Sequence, residues 1–263
     1  MSQISVPSIT ERKSGESVFQ DHRQHGVTAA ATLTISKIGL WSAVLSGICS
    51  AGYGLAVVAV LVASLRTQSA STAQGWTGID AYLANFQPVA LLPLFPSLLL
   101  APAFTALIVS IHSYAAEGKK IWSLLGLSFT LIYATMATMN YMIQLMPVWR
   151  SINNGESDGL AMFVSGNPHS IFWALAYAYI FMNIAMLFSA MVFAGDRLEN
   201  RIRRLFILNG VSGLVILVSA FLDSYQFYLM GSLVVWCPIF TAAAVCVAML
   251  FNRTAKECKA AGG

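Results

Sequence analysis

Charge is what this 263-residue sequence has least of. Only 10% of its residues are Asp, Glu, Lys or Arg, against about 25% in soluble domains. A soluble domain with a charged, solvated surface is excluded on that ground. The net charge is +4, and the basic residues lie between apolar runs rather than in a domain of their own. That excludes a nucleic-acid partner, which calls for a contiguous basic face. Cysteine is scarce too. Cys49, Cys237 and Cys246 sit inside apolar runs, Cys258 near the end, and no two form a CxxC pair. They read as small buried hydrophobes rather than disulfides or metal ligands. No Walker loop, HExxH motif or DxxD pair occurs, so no nucleotide, metal or cofactor is expected.

What the chain has in quantity is apolar length. Hydrophobic residues make up 57% of it, and the mean hydropathy is +0.69. Six runs, 37–65, 87–114, 121–148, 169–194, 205–222 and 229–251, are long enough to cross about 30 Å of hydrocarbon as helices. The fold class expected is therefore all-α: a bundle of six transmembrane helices, with the lipid bilayer as its first partner. Residues 1–36 are polar and mixed in charge. No apolar stretch follows a basic start, so they are expected to form a flexible tail rather than a cleavable signal peptide. Residues 252–263 form a second tail.

Two spans carry special features. The second holds Pro88, Pro93, Pro96 and Pro102, which a bilayer tolerates where neighbouring helices satisfy the freed carbonyls. It is expected to be bent. The first carries Ser46, Ser50 and Gly54 at successive i+4 positions. Small residues at that spacing let helix backbones approach closely, within the chain or through the first span of a second copy in a homo-oligomer.

Six spans put both tails on one side with the loops 115–120 and 195–204. That side then holds thirteen of the fifteen Lys and Arg residues, the exceptions being Arg66 and Arg150. The positive-inside rule places it in the cytoplasm, and the plasma (inner) membrane is the expected location.

Polar groups inside a bilayer are costly and so mark places of interest. In the third span Tyr133, Ala137, Asn140 and Gln144 share one helix face, with Tyr141 beside them. Tyr177 and Asn183 lie in the fourth span, Asp223 closes the fifth, and Trp236 stands in the sixth. All belong to the outer half or the middle of the bilayer. Asn140, Tyr141, Gln144, Tyr177, Asn183 and Trp236 are the candidate substrate-binding residues, around an opening left by Pro93 and Pro96. Packing between helices explains the same amides equally well.

Two functional readings follow. In one the protein is a non-catalytic accessory or binds an apolar small molecule, since no formal charge lies inside a span. In the other it is a membrane-embedded isomerase or cyclase acting on an isoprenoid or lipid. Asp223 is then the proton donor, and Tyr141, Tyr177 and Trp236 shield a cation. A transporter is disfavoured, because no buried carboxylate or lysine and no internal repeat is present. Finally, the strings LLLAP, HSYA, KKIWSLLGLSF, IYA and GDRLENRIRRLFILNG, taken together, resemble a group of microbial six-span membrane proteins of similar length. The resemblance covers about residues 40–250. It implies the six-span topology and carries no activity.

Overall fold

A computed structural model describes residues 9–67, 76–222 and 225–261. Asp223, the expected proton donor, lies outside the described residues. Ten α-helices run through them, and no strand is present among them. The helices are α1 (Ile9–Thr67), α2 (Ile79–Ala84), α3 (Leu94–Tyr114), α4 (Lys120–Ile143), α5 (Trp149–Asn154), α6 (Ile171–Ala176), α7 (Tyr179–Ala190), α8 (Arg197–Phe221), α9 (Tyr225–Met230) and α10 (Cys237–Ala261). They assemble into six segments long and apolar enough to cross a membrane: Ala31–Ser64, Pro88–Tyr114, Glu117–Asn154, Ile171–Ala190, Arg197–Phe221 and Phe227–Ala260. This is an integral, multi-pass membrane protein. Its first helix begins within the stretch read from sequence as a tail.

The spans form a ring in chain order. Helix α1 packs on α3, α3 on α4, α4 on α7, α7 on α8, α8 on α10, and α10 returns to α1. Five aromatic side chains close a circuit at the centre. Tyr179 meets Trp236 at 5.2 Å between ring centroids, Trp236 stacks on Phe240 at 5.2 Å, and Phe240 touches Phe104 at 5.8 Å. Phe104 then meets Tyr133 at 5.9 Å, which returns to Tyr179 at 5.4 Å. Each ring buries a large apolar area against its neighbours from other helices.

Small residues decide where the ring is tight. The stripe Ser46, Ser50 and Gly54 faces α10 of the same chain. Ser50 Oγ donates to the Cys237 carbonyl at 3.2 Å, and Cys237 Sγ donates to the Ser50 carbonyl at 3.0 Å. Between α4 and α7, Gly126 lies so close to Ser189 that a Cβ would collide with its hydroxyl, and would stand 3.1 Å from the Ala185 carbonyl oxygen. Between α7 and α8, Asn209 Nδ2 donates to Asn183 Oδ1 at 3.0 Å, and Asn183 Nδ2 donates to the Tyr179 carbonyl at 2.9 Å.

At the end carrying the basic loops the helices are clamped by polar contacts. Tyr114, the last residue of α3, donates to Glu199 Oε1 at 2.5 Å. The other oxygen of Glu199 accepts from the Ala194 and Gly195 amides. Asp196 caps α8 by accepting from the Leu198 and Glu199 amides, both at 3.0 Å, and pairs with Arg253 of α10. Lys119 Nζ donates to the Val192 carbonyl at 2.8 Å.

The opposite end is irregular. The second span starts as a 3₁₀ turn, Pro88–Leu91, and becomes α-helical only at Leu94, with Pro93 as its N-cap. The expected bend is a break at this point. Pro88, Pro93 and Pro96 all occupy helix starts, where no carbonyl awaits their missing N–H; only Pro102 lies inside the helix. The third span passes through a π-helical segment, Gln144–Val148, that contains Pro147. The fourth is interrupted at Tyr177 and Ala178 between α6 and α7. The sixth has a second π segment, Gly231–Trp236, two residues before Pro238. Four of the six spans thus change backbone geometry in the same half of the bundle.

Candidate functional site

Those irregularities leave room. A cavity of about 160 Å³ lies in that half, walled by α1, the start of the second span, the third-span π segment, α6 and the start of the sixth span. Its apolar wall includes Val57, Val60, Leu61, Leu91, Leu94, Val148 and Phe172, and its aromatic wall Tyr53, Tyr82, Phe86, Tyr141, Trp173 and Tyr228. Pro93, Ser97 and Gln144 complete the lining at the point where the second and third spans face each other. Of the opening expected where Pro93 and Pro96 face Asn140 and Gln144, the cavity lining includes Pro93 and Gln144 but neither Pro96 nor Asn140. Among the described residues none of the lining carries a formal charge.

The polar face of α4 is buried throughout. Tyr133, Ala137, Asn140 and Gln144 are all below 5% exposed, as their shared helical face requires. The two amides make specific contacts. Asn140 Nδ2 donates to the Phe172 carbonyl at 3.2 Å, and Gln144 Nε2 donates to the Phe163 carbonyl at 2.7 Å. Both carbonyls belong to the irregular chain around the start of the fourth span, where backbone acceptors need partners other than water. Gln144 thereby spends one of its two N–H donors, and its Oε1 accepts no hydrogen bond among the described residues. It is the cavity's amide acceptor. Tyr141 Oη donates to Tyr179 Oη at 3.1 Å, and Ser97 Oγ donates to the Pro93 carbonyl at 2.8 Å.

A small cap of packed residues shares Val148, Tyr82 and Ile152 with the cavity lining. Val148, Leu160 and Val164 form a second small core with Trp76, Ile79, Tyr82, Leu83 and Phe163. The rings of Tyr82, Phe86 and Trp149 run in series, at 5.8 and 6.0 Å. Trp173 Nε1 pins the loop by donating to the Ser165 carbonyl at 2.9 Å. Burial holds the Tyr82 phenol above its ordinary pKa, against a smaller opposing effect of its hydrogen bond to Ser165, so the cap presents a neutral hydroxyl.

Of the candidate residues, Tyr141 and Gln144 line the cavity. Asn140 stands behind it, holding the carbonyl of the lining residue Phe172. Tyr177 packs edge-on against the lining residue Tyr228 at 6.0 Å. Trp236 lines a void of about 10 Å³ that shares Tyr53 and Tyr228 with the cavity. Asn183 belongs to the contact between α7 and α8, away from the cavity. Sequence reasoning missed Tyr53, Tyr82, Phe86, Phe172, Trp173 and Tyr228 as lining residues. Aromatic residues near span ends carry the same signal in a belt and in a cavity wall.

No protein family, curated protein or solved structure matches this chain.

Proposed function

We propose that this protein is non-catalytic and binds one neutral, mostly apolar small molecule in the cavity under the cap. The observation that carries the reading is a cavity with no charged residue among its described lining and with one side-chain amide oxygen, Gln144 Oε1, that accepts no hydrogen bond among the described residues. An apolar wall selects apolar matter by area, and one placed polar group orients it. An amide oxygen accepts, so the ligand is expected to present one hydroxyl or N–H. Size narrows the class further. An apolar cavity of about 150 Å³ holds one benzene ring, and sites for drug-sized molecules run from about 300 Å³ upward. At about 160 Å³ the occupant is a single ring or a short chain segment, not a whole sterol. The positive-inside rule supports an orientation with both termini in the cytoplasm, which puts the cavity in the outer half of the membrane. Among the described lining residues there is no carboxylate, and Asp223, the proton donor of the other reading, lies outside the described residues.

The test uses two ring-sized probes, 4-fluorophenol and fluorobenzene, with saturable binding to the purified protein followed by fluorine NMR. The phenol is expected to bind about fivefold more tightly, the value of one net hydrogen bond. Gln144→Leu is expected to abolish that preference while leaving fluorobenzene binding in place. Equal affinities for the two probes in the wild type would sink the reading.

A further inference from the structure

The cations at the basic end are not all used alike. Lys119 is spent on the Val192 carbonyl, Lys120 on Glu117, and Arg253 on Asp196 and Glu257. The first turns of α8 carry Arg197, Arg201 and Arg204, all exposed. None of the three makes an ion pair or hydrogen bond among the described residues. The acids nearest in sequence do not reach them. Asp196 is engaged by the α8 amides and Arg253, and Glu199 by Tyr114 and the amides of Ala194 and Gly195.

Geometry places these three on one stripe. Steps of four and three residues keep Arg197, Arg201 and Arg204 on a single helix face. The next steps, again of four and three, reach Leu208 and Val211, which are 53% and 48% exposed. The stripe that faces lipid thus changes from guanidinium to hydrocarbon between Arg204 and Leu208. From Arg197 to Arg204 the helix rises about 10 Å, comparable to the headgroup zone of about 5 to 8 Å on each side of a bilayer. Arginine presents a planar fork that matches a phosphate bidentately, and its apolar stem lies along hydrocarbon while the head stays at the surface.

We propose that this face is a binding site for an anionic phospholipid of the adjoining leaflet. Its phosphate lies among Arg197, Arg201 and Arg204, and an acyl chain runs along Leu208 and Val211. The site stands apart from the capped cavity and does not depend on what fills it. Its role is to fix the depth and lipid surroundings of α8, whose other faces hold α7 and α10.

The experiment measures binding of two short-chain lipids to the purified protein by calorimetry, dihexanoyl phosphatidylglycerol and dihexanoyl phosphatidylcholine. The wild type is expected to prefer the anionic lipid. Each basic side chain near an anionic surface is worth about fivefold in affinity. The triple variant Arg197→Gln, Arg201→Gln, Arg204→Gln is therefore expected to bind phosphatidylglycerol about a hundredfold more weakly and phosphatidylcholine unchanged. Should the triple variant misfold, Arg204→Gln alone is expected to lose about fivefold. Equal affinity of the wild type for both lipids overturns the proposal, and so does a glutamine variant that keeps the wild-type preference. Inorganic phosphate that displaces the anionic lipid completely at equal concentration also overturns it, because the site then takes a free anion.

Discussion

The two ends of the bundle solve the same packing problem with opposite means. At the basic end the helices are continuous, small residues let them touch, and polar groups tie their termini: Gly126 against α7, Tyr114 to Glu199, Asp196 to Arg253. At the other end four spans are broken or locally widened, a cap of loops replaces regular helix, and about 160 Å³ is left open. The difference teaches where a sequence of this kind stores adaptability. Continuous helices with small contact residues leave no slack, because interiors are packed as densely as organic crystals. Prolines and π segments uncouple the side-chain registers of neighbouring helices, and the mismatch becomes volume.

The sharpest way to break this comparison is to add the same kind of bulk at each end. Gly126→Val puts a branched side chain against the Ser189 hydroxyl and the Ala185 carbonyl. Overpacking of this sort is expected to cost about 3 kcal/mol, seen as a large fall in melting temperature in detergent. Leu91→Phe on the cavity wall adds comparable bulk where space exists. It is expected to be neutral or to stabilise by up to about 1 kcal/mol. Equal losses for the two variants would mean that the open end is as tightly packed as the closed one.

A smaller effect sharpens how the irregular end is held. Asn140→Leu removes the donor on the Phe172 carbonyl. Buried interhelical hydrogen bonds in membranes are worth about 0.6 to 2 kcal/mol, so a loss of about 1 kcal/mol is expected. Hydrogen exchange locates it: faster exchange is expected in α6 and at the Tyr177–Ala178 break, with α8 unchanged. Uniform acceleration over the whole bundle would show that the amide does not act on this break.

Much of the fold was legible in the sequence because the bilayer leaves few choices. Six apolar runs imply six helices, since no other single-span structure satisfies its own backbone in lipid. The shared face of Tyr133, Asn140 and Gln144 followed from helical periodicity alone, and it is the face that is buried. The cavity's place beside Pro93 and Gln144 was legible for a similar reason, because proline and polar residues at one depth both disturb regular packing. What stayed hidden depends on distant pairs. Asn183 reads in sequence like Asn140, yet Asn209, 26 residues away, takes it into the contact between α7 and α8. Tyr228 and Tyr53 reach the cavity from the sixth and first spans, a meeting fixed by ring closure. The proline-rich span reads as a bent helix, but helix starts absorb three of its four prolines. That outcome turns on where the helix begins, which periodicity does not define.

The mildest test concerns the clamp at the basic end and uses pH. Asp196 lies in the loop before α8, and its pKa is held below the ordinary carboxylate value of 3.8. The leading cause is the hydrogen bond from the Glu199 amide, followed by that from Arg253. A carboxyl whose pKa is lower folded than unfolded binds its proton more readily in the unfolded chain, so protonation favours unfolding. The stabilising contribution is therefore fully present above the ordinary value and drains away as pH falls through the lowered folded value. It makes no difference between pH 6 and 8. Asp196→Asn keeps an oxygen for the Leu198 and Glu199 amides and removes the charge facing Arg253. The variant is expected to melt slightly below the wild type near neutral pH. The two curves should converge as pH drops below 3.8, because the wild-type side chain is then neutral as well. A gap between the melting curves that stays constant down to the lowest pH measured would show that the charge on Asp196 contributes nothing to the clamp.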